Sequence, residues 1–567
     1  MANLSQQKRE RMIEFLKQLK ALHTDDNSLI ALNEIENEIL SKKYGLVWEQ
    51  HDEQVDIMMR ENVPVFSEVA EREIIEDHCN DKYNFLLEGD NLHSLKLLEK
   101  THRGGIDVIY IDPPYNTGSK DFIYNDAIVD SNDGFKHSKW LSFISERLEL
   151  AKNLLKPTGM IMISINEIEL YSLKLLCDSI FGDDNFLANM IWQSTPGSNT
   201  GLDIKTVTEY VLCYAKDKSK VLTASRDNID TSKYNLKDEY AERRGGYVLN
   251  KLDRRMTGQH YSDALNYQIE MPDGTMLFPG SNDSKQPNWN WRWSSTKVKW
   301  GIENGFIVFK QTKGVWAVYF KQYQFVDNND NIIERTLPYQ NLIKDIEGAN
   351  SARGTQEVMN MFGSKAFDYP KPLNLIKYLL QMHNSPNGIV LDFFAGSGTT
   401  AQAVLELNKE KGQNRSFILC TNNDNAICEN VTYQRIKTVI TGYNINGDEY
   451  GDGIGSNLKY YKTDFIAKTS SDANYSVSDE LLKHIKEMIQ LENGIKVDDE
   501  NYIIILTDED ADALEKKPEI VEKCKGIYIS NDVFLTSSQE QLFSGIVIKQ
   551  IPDYYFEEEL REVHEIW

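Results

Sequence analysis

The strongest constraint on this chain is an alternation that begins near Tyr83. Short apolar runs at Tyr83–Glu88, Ile106–Ile111, Met160–Ile165, Ile389–Phe393 and Ser416–Cys420 are separated by stretches with helical spacing, among them 143–155 and 168–180. Such runs, bounded by turn residues, read as strands buried on both faces, and strands alternating with helices build a parallel sheet covered on each side. The expected fold class is therefore α/β, a doubly wound Rossmann-like sheet, with Tyr210–Ala215 as one further strand.

The alternation stops between 216 and 350, where Trp289, Trp291, Trp293, Trp300 and Trp316 stand among Arg243, Arg244, Arg254, Arg255, Arg292, Lys297 and Lys299. This segment reads as an insertion that splits the sheet domain into 81–215 and 351–440. Residues 1–60 precede it with two amphipathic patterns, Met12, Phe15, Leu16, Leu19, Leu22 and then Leu29, Leu32, Ile35, Ile39, which predict a helical hairpin that either docks on its own domain or makes dimer contacts. Residues 441–567 read as a small α/β domain, so that a chain ending near Gly442 is expected to keep the site described below.

Charge is unevenly spread. The net charge of -25 disfavours a polyanion, yet Lys205–Lys321 holds 19 Lys and Arg against 13 Asp and Glu, a surplus of +6. Thr441–Trp567 holds 12 against 27, or -15. The insertion can meet nucleic acid, whereas the tail repels it and suits folding, dimerisation or a protein partner. No apolar run reaches the roughly 18 residues of a membrane span, and the first twenty residues lack a secretory signal. Six cysteines without a CxxC pair predict neither a disulfide framework nor a structural metal, which fits the cytoplasm.

Two of the strands run into loops with chemical character. Ile106–Ile111 enters Asp112-Pro113-Pro114-Tyr115, and in open α/β sheets ligands bind beyond the carboxyl ends of the strands. Two prolines stiffen the turn and remove two N–H donors, leaving the Asp112 carboxylate and the Pro113 carbonyl as acceptors. Together they can hold both hydrogens of an exocyclic amino group, and Tyr115 offers a ring on which an extruded base stacks. The second loop, Asp392-Phe393-Phe394-Ala395-Gly396-Ser397-Gly398-Thr399, carries two glycines that allow close backbone approach at the start of a helix, where a carboxylate or phosphate is favoured. It lacks the Gly-Lys-Ser/Thr of a P-loop and the GxGxxG of a dinucleotide fold.

These two motifs resemble those of the amino-methylating DNA methyltransferases that use S-adenosylmethionine. Here the catalytic motif precedes the cofactor loop, which is the permuted, or beta, order. Leu87–Leu92, Asp112–Thr117 with Asp121–Asn125, and Phe367-Asp-Tyr-Pro-Lys-Pro372 are similar, more narrowly, to the modification (Mod) subunits of Type III restriction–modification systems. The resemblance implies site-specific transfer of a methyl group from S-adenosylmethionine to adenine N6 in double-stranded DNA. It implies a target-recognition role for the insertion, a homodimer, and a separate ATP-dependent restriction subunit, since this chain has no Walker A sequence. Cytosine-N4 transfer, more often associated with Ser than Asp before Pro-Pro-Tyr, is the alternative chemistry, and a non-catalytic DNA-binding specificity subunit the alternative class.

By the same resemblance Asp112, Pro113, Pro114 and Tyr115 engage the target base, and Asp392 to Thr399 form the cofactor loop, with Gly396 and Gly398 cradling its methionine part. Asp90 contacts the cofactor adenine, and Lys371 lies in the segment packing over its methionine end. The ribose carboxylate is either Asp424 displaced or replaced by Asn422.

Overall fold

The computed structural model describes residues 4–23, 25–41, 48–49, 51, 53–76, 81–118, 123–124, 127–128, 133–197, 204–226, 231–256, 258–344, 346–470, 475–552 and 555–565. They form two compact units, 1–223 with 340–567 and, separately, Ala224–Tyr339.

The larger unit is built on one sheet of eleven strands. In chain order these are β1 (Asn62–Glu68), β2 (Ile74–Ile75), β3 (Asn84–Glu88), β4 (Ile106–Ile111), β5 (Leu155–Ile165), β6 (Phe186–Gln193), β7 (Thr208–Ala215), β8 (Leu342–Ile343), β9 (Ile389–Asp392), β10 (Ser416–Thr421) and β11 (Asn457–Ala467). Their spatial order is β1-β11-β3-β10-β9-β4-β5-β7-β6-β8, with β2 also on β11. From β11 to β5 all neighbours are parallel, while β7 runs antiparallel to both β5 and β6.

Strand residues alternate between two apolar layers, as the two-residue period requires. Ile109, Ile111, Ile161 and Ile163 face a layer that includes helices 91–102, 136–154 and 170–181. Val108, Tyr110, Met160 and Met162 face the opposite layer, with helices 373–380, 399–411 and 433–441. Strands buried on both faces read as unbroken apolar runs, which is why these were visible in the sequence. Helices expected at 143–155 and 168–180 are found at Lys136–Leu154 and Leu170–Phe181. At the N-terminus, helices Leu4–Leu22 and Asp26–Ser41 pair, with Lys20 Nζ 2.6 Å from Asn33 Oδ1 and 2.5 Å from Glu36 Oε2.

The structure differs from the expected boundaries in three places. The inserted unit is Ala224–Tyr339 rather than 216–350, because 342–343 already pairs with β6. The sheet begins at β1 rather than at 81. Pro64 obscures that strand in sequence, and it is tolerated because β1 is an edge strand. The tail 441–567 is not a separate body: β11 lies inside the sheet between β1 and β3, and Leu481, Ile485, Met488, Ile489 and Tyr555 join the first apolar layer. Lys459 interrupts the β11 pattern, yet its side chain is buried, bonded to Glu68 and 2.8 Å from Glu73. A smaller parallel sheet, Tyr502–Ile505, Gly526–Ile529 and Val547–Gln550, follows.

A chain ending at Gly442 is therefore expected to misfold rather than keep its site. It loses an inner strand carrying the buried Leu458, Tyr460 and Tyr461, and domains are stabilised by only about 5–15 kcal/mol. Soluble yield and a cooperative thermal transition measure this; a truncated chain that melts cooperatively refutes it.

The inserted unit has its own core, with an antiparallel sheet of Tyr247–Lys251, Val315–Tyr323 and Ile307–Thr312 and helix Ser295–Glu303. Trp291, Trp293, Phe306, Phe320 and Tyr323 fill it. Arg244 is buried there, stacked 4.0 Å over Tyr240 and 2.9 Å from Asp330, which also takes Arg243 at 2.7 Å. That arginine pair is structural.

Candidate active site

Strands β9 and β4 are parallel neighbours in register, Val390 beside Val108 and Leu391 beside Ile109. From β9 the chain crosses through helix 399–411 to β10 on one side, and from β4 through helix 136–154 to β5 on the other. Connections diverging from adjacent strands open a crevice at their carboxyl ends, where α/β sheets bind ligands. Both candidate loops emerge there.

On the β4 side, Tyr115 Oη donates to Asp112 Oδ1 at 2.9 Å, and Lys371 Nζ approaches the same oxygen at 3.0 Å. The Trp140 indole N–H donates to the Pro114 carbonyl at 2.7 Å, pinning the turn from helix 136–154. Asn116 follows at φ 59°, held by bonds from Nδ2 to Glu169 Oε1 at 2.6 Å and the Lys136 carbonyl at 3.2 Å. Among the described residues this leaves Asp112 Oδ2 and the Pro113 carbonyl without a donor, the two groups the sequence singled out as acceptors. Burial raises the Asp112 carboxyl above its ordinary range against the pull of Lys371. Burial also opposes the charge on Lys371, but Asp112 and Glu209 hold its ammonium above its usual value.

On the β9 side, Asp392 is fully built into the fold. The Phe394 N–H donates to Oδ1 at 3.0 Å and the Thr400 hydroxyl to Oδ2 at 2.5 Å. Burial nevertheless pushes its carboxyl up to about 7. Gly396 has φ 48°, and a Cβ there would lie 3.0 Å from the Phe367 ring; Gly398, at φ 77°, starts helix 399–411. Both positions suit glycine by conformation and close approach. The Gly396 and Ser397 amides donate to no described residue and lie just before helix 399–411, and unbonded amides at a helix N-terminus suit an anion. Other loop side chains serve the scaffold: Phe393 is buried, Phe394 packs 5.8 Å from Phe143, and the Ser397 and Thr399 hydroxyls turn inward to Arg435 at 3.2 and 2.8 Å. Ala395 is buried beside them.

Asp90 caps helix 91–102, accepting from the Leu92 N–H at 2.7 Å and lying 3.3 Å from Arg147, both through Oδ1. Asn422 and Asp424, the alternative ribose ligands, stand together past β10, with Asn422 Nδ2 donating to Asp424 Oδ2 at 2.6 Å. Lys371 sits where its segment meets both loops, its carbonyl accepting from Thr399 Oγ1 at 3.3 Å while its ammonium joins Asp112. Sequence reasoning placed it with the cofactor and missed its pairing with Asp112.

Glu209, Trp140 and Arg147 were also missed. Glu209 Oε2 accepts from Tyr115 Oη at 3.2 Å and lies 3.2 Å from Lys371 Nζ. A lone acidic residue near the start of the otherwise uncharged strand Thr208–Ala215 was the available signal. Of the Asp121–Asn125 segment, only Ile123–Tyr124 lies within the described residues, and Cys79 lies outside them.

Comparison with known proteins accords with this geometry. A family model described as DNA methylase matches residues 106–434, a span holding both loops and the inserted unit. The chain belongs to this DNA methylase family. The Type II methyltransferase M.KpnI of Klebsiella pneumoniae is 34% identical over 389 residues, covering 67% of this chain and 90% of its own. The StyLTI Mod subunit of a Type III restriction-modification enzyme from Salmonella typhimurium is 33% identical over 394 residues, covering 64% of this chain and 55% of its own. The EcoPI Mod subunit of Escherichia phage P1 is 29% identical over 454 residues, 70% of this chain and 68% of its own. The chain thus matches little more than half the length of the Salmonella relative.

Proposed function

We propose that this DNA methylase transfers a methyl group from S-adenosylmethionine to adenine N6 at a specific site in double-stranded DNA, as the modification subunit of a Type III-like system. The observation that carries the reading is the pair of acceptors, Asp112 Oδ2 and the Pro113 carbonyl, unmatched among the described residues at the end of β4, the strand beside the one that leads into the glycine loop. Two acceptors fit the two hydrogens of a primary amino group, and their hold turns its lone pair out of conjugation with the ring. Tyr115, tied to Asp112, offers the stacking face.

The residues fit the cofactor. The Gly396 and Ser397 amides, which donate to no described residue, suit its carboxylate, Phe367 packs so closely on Gly396 that only a glycine fits beneath it, and Asp90 with Asn422 and Asp424 offers polar groups for the nucleoside. S-adenosylmethionine supplies an electrophilic methyl group, so the protein's task is chiefly to position and orient the amine. Asp112 does this with a fixed negative charge in a site largely shielded from water, where electrostatic interactions strengthen.

Analysis of nucleosides after incubating duplex DNA with the protein and methyl-labelled cofactor tests the reading. N6-methyladenine is expected. N4-methylcytosine would convict the alternative chemistry, and unlabelled DNA with intact cofactor binding would favour a non-catalytic specificity subunit.

The inserted unit is the proposed reader of DNA sequence. Arg255 is exposed and stacks 5.6 Å from Trp289, and the neighbouring Arg254 is half-buried, its Nε buried and without a partner among the described residues. Reversing both charges is expected to weaken binding and lower the log–log salt slope by about 0.9 for each phosphate that is no longer neutralised. An unchanged slope would remove them from the interface. The same reading makes the protein a cytoplasmic homodimer that recruits a separate ATP-dependent restriction subunit; no helix among the described residues is long and apolar enough to cross a membrane.

A further inference from the structure

The cluster beyond β4 carries a charge imbalance that methyl transfer would resolve. Two carboxylates, Asp112 and Glu209, share one ammonium: Lys371 Nζ is 3.0 Å from the first and 3.2 Å from the second. Lys371 also donates to Tyr115 Oη at 2.7 Å, and that hydroxyl reaches Asp112 Oδ1 at 2.9 Å and Glu209 Oε2 at 3.2 Å. With both carboxylates ionised, the half-buried group holds one surplus negative charge only partly solvated, a costly state. It is one proton short of neutrality. Methylation of an amino nitrogen releases one proton, next to Asp112.

We propose that Glu209 is the outlet for that proton, which passes from the target nitrogen to Asp112 and leaves through the Tyr115 hydroxyl. The proposal rests on the methylation reading above. In the transfer the N–CH₃ bond forms as the S–CH₃ bond breaks, and the sulfur keeps the bonding pair and becomes a neutral thioether. The nitrogen, now bearing a proton too many, gives it to the Asp112 carboxylate. The amine proton lands on Asp112 Oδ2; the carboxyl then turns about its Cβ–Cγ bond to present that proton to Tyr115 Oη while Tyr115 gives its own to Glu209 Oε2, so the hydroxyl is restored and Lys371 stays an ammonium throughout. The cluster goes from one negative charge to neutral. Asp112 and Glu209 have 24% and 21% of their side chains exposed; a base held at Asp112 covers the first and leaves the second its route to water. The arrangement returns Asp112 to the form that accepts the next amino group.

The other ionisable groups that face Asp112 are Tyr110, whose hydroxyl lies 2.9 Å from Ser164 Oγ, and Asp392 on β9. Neither touches Tyr115 or Glu209 through a hydrogen bond among the described residues. Glu209 therefore acts as a positioning and proton-accepting group through Tyr115, without touching the substrate itself.

Single-turnover methyl transfer measured across neutral pH with wild type, Glu209→Gln and Glu209→Asp tests this. The glutamine variant is expected to lower the rate about tenfold to a hundredfold, the range of acid–base contributions, with DNA and cofactor affinities within about twofold of wild type. Because the Glu209 charge raises the Asp112 pKa, its removal moves the acid limb of the profile to lower pH. The aspartate variant, if the glutamine one fails to fold, retains the charge and is expected to keep the limb in place at a reduced rate. A glutamine variant within twofold of wild type, or one slowed with its acid limb fixed, overturns the outlet. Methylation within about tenfold of wild type in Asp112→Ala overturns the underlying reading instead, so the two failures are distinct.

Discussion

Asp112→Ala is expected to cut methyl transfer by on the order of a hundredfold to a thousandfold, the usual cost of deleting one preorganised polar partner of the reacting group. Affinity for duplex DNA and for S-adenosylmethionine should change little. The substitution removes one of the two acceptors for the target amine but leaves the Pro113 carbonyl, the Trp140 bond that pins the turn, and the glycine loop intact. It also leaves Lys371 paired with Glu209 at 3.2 Å, so no buried cation is stranded and the fold should survive. Asp112→Asn is the finer probe. It keeps the shape and one acceptor oxygen, but its amide would meet the amine donor to donor in one rotamer and Lys371 in the other, so most of the loss should remain. Single-turnover rates with calorimetric cofactor binding separate chemistry from assembly; methylation kept within tenfold of wild type would remove Asp112 from the reaction.

The parts of the site legible in sequence were those that local chemistry dictates. Asp112-Pro-Pro-Tyr115 and the Gly396/Gly398 loop stand out because a buried apolar strand leads into residues that no strand tolerates, and the parallel sheet brings β4 and β9 side by side. What stayed hidden depends on packing between distant segments. Glu209 reads as an ordinary strand residue until β7 folds antiparallel against β5 and brings it to Tyr115. Lys371 belongs by sequence to the cofactor segment, and only its extended side chain shows a second role. β11 was missed for a related reason: a buried lysine breaks its apolar pattern, and the carboxylates that neutralise it, Glu68 and Glu73, come from nearly four hundred residues earlier. Buried ion pairs erase the hydropathy signal at the positions where they tie the fold together.

The same blindness hid Arg147, whose loss should be the most damaging outside the chemistry. Its guanidinium, in helix 136–154, has no exposed surface. It lies 2.6 and 3.1 Å from the two Glu53 oxygens, donates to Asn91 Oδ1 at 2.5 Å, reaches Asp90 at 3.3 Å and stacks 4.0 Å from the Phe143 ring. Asn91 in turn donates to the Phe393 carbonyl at 2.8 Å, so one cation ties Asp90 and the glycine loop to the N-terminal segment. Arg147→Met fills much of the volume but leaves the Glu53 carboxylate, 11% exposed, without its counterion. Breaking a buried pair from one side typically costs about 3–5 kcal/mol, enough to erode much of a domain's stability. Cofactor affinity should fall with it, since Asp90 loses its support. Two features separate this account from simple misfit. Glu53→Gln in the Arg147→Met background removes the stranded charge, so the double variant should be more stable than Arg147→Met alone. Burial already raises the Glu53 pKa, and losing Arg147 raises it further. A folded-state pKa above the unfolded value penalises folding as pH rises through it and costs nothing below the unfolded value, so the deficit should shrink on acidification. Denaturant unfolding of wild type, Arg147→Met, Glu53→Gln and the double variant at mildly acidic and mildly alkaline pH measures both effects; additive losses independent of pH would mean that Glu53 finds water or another partner when the arginine is gone.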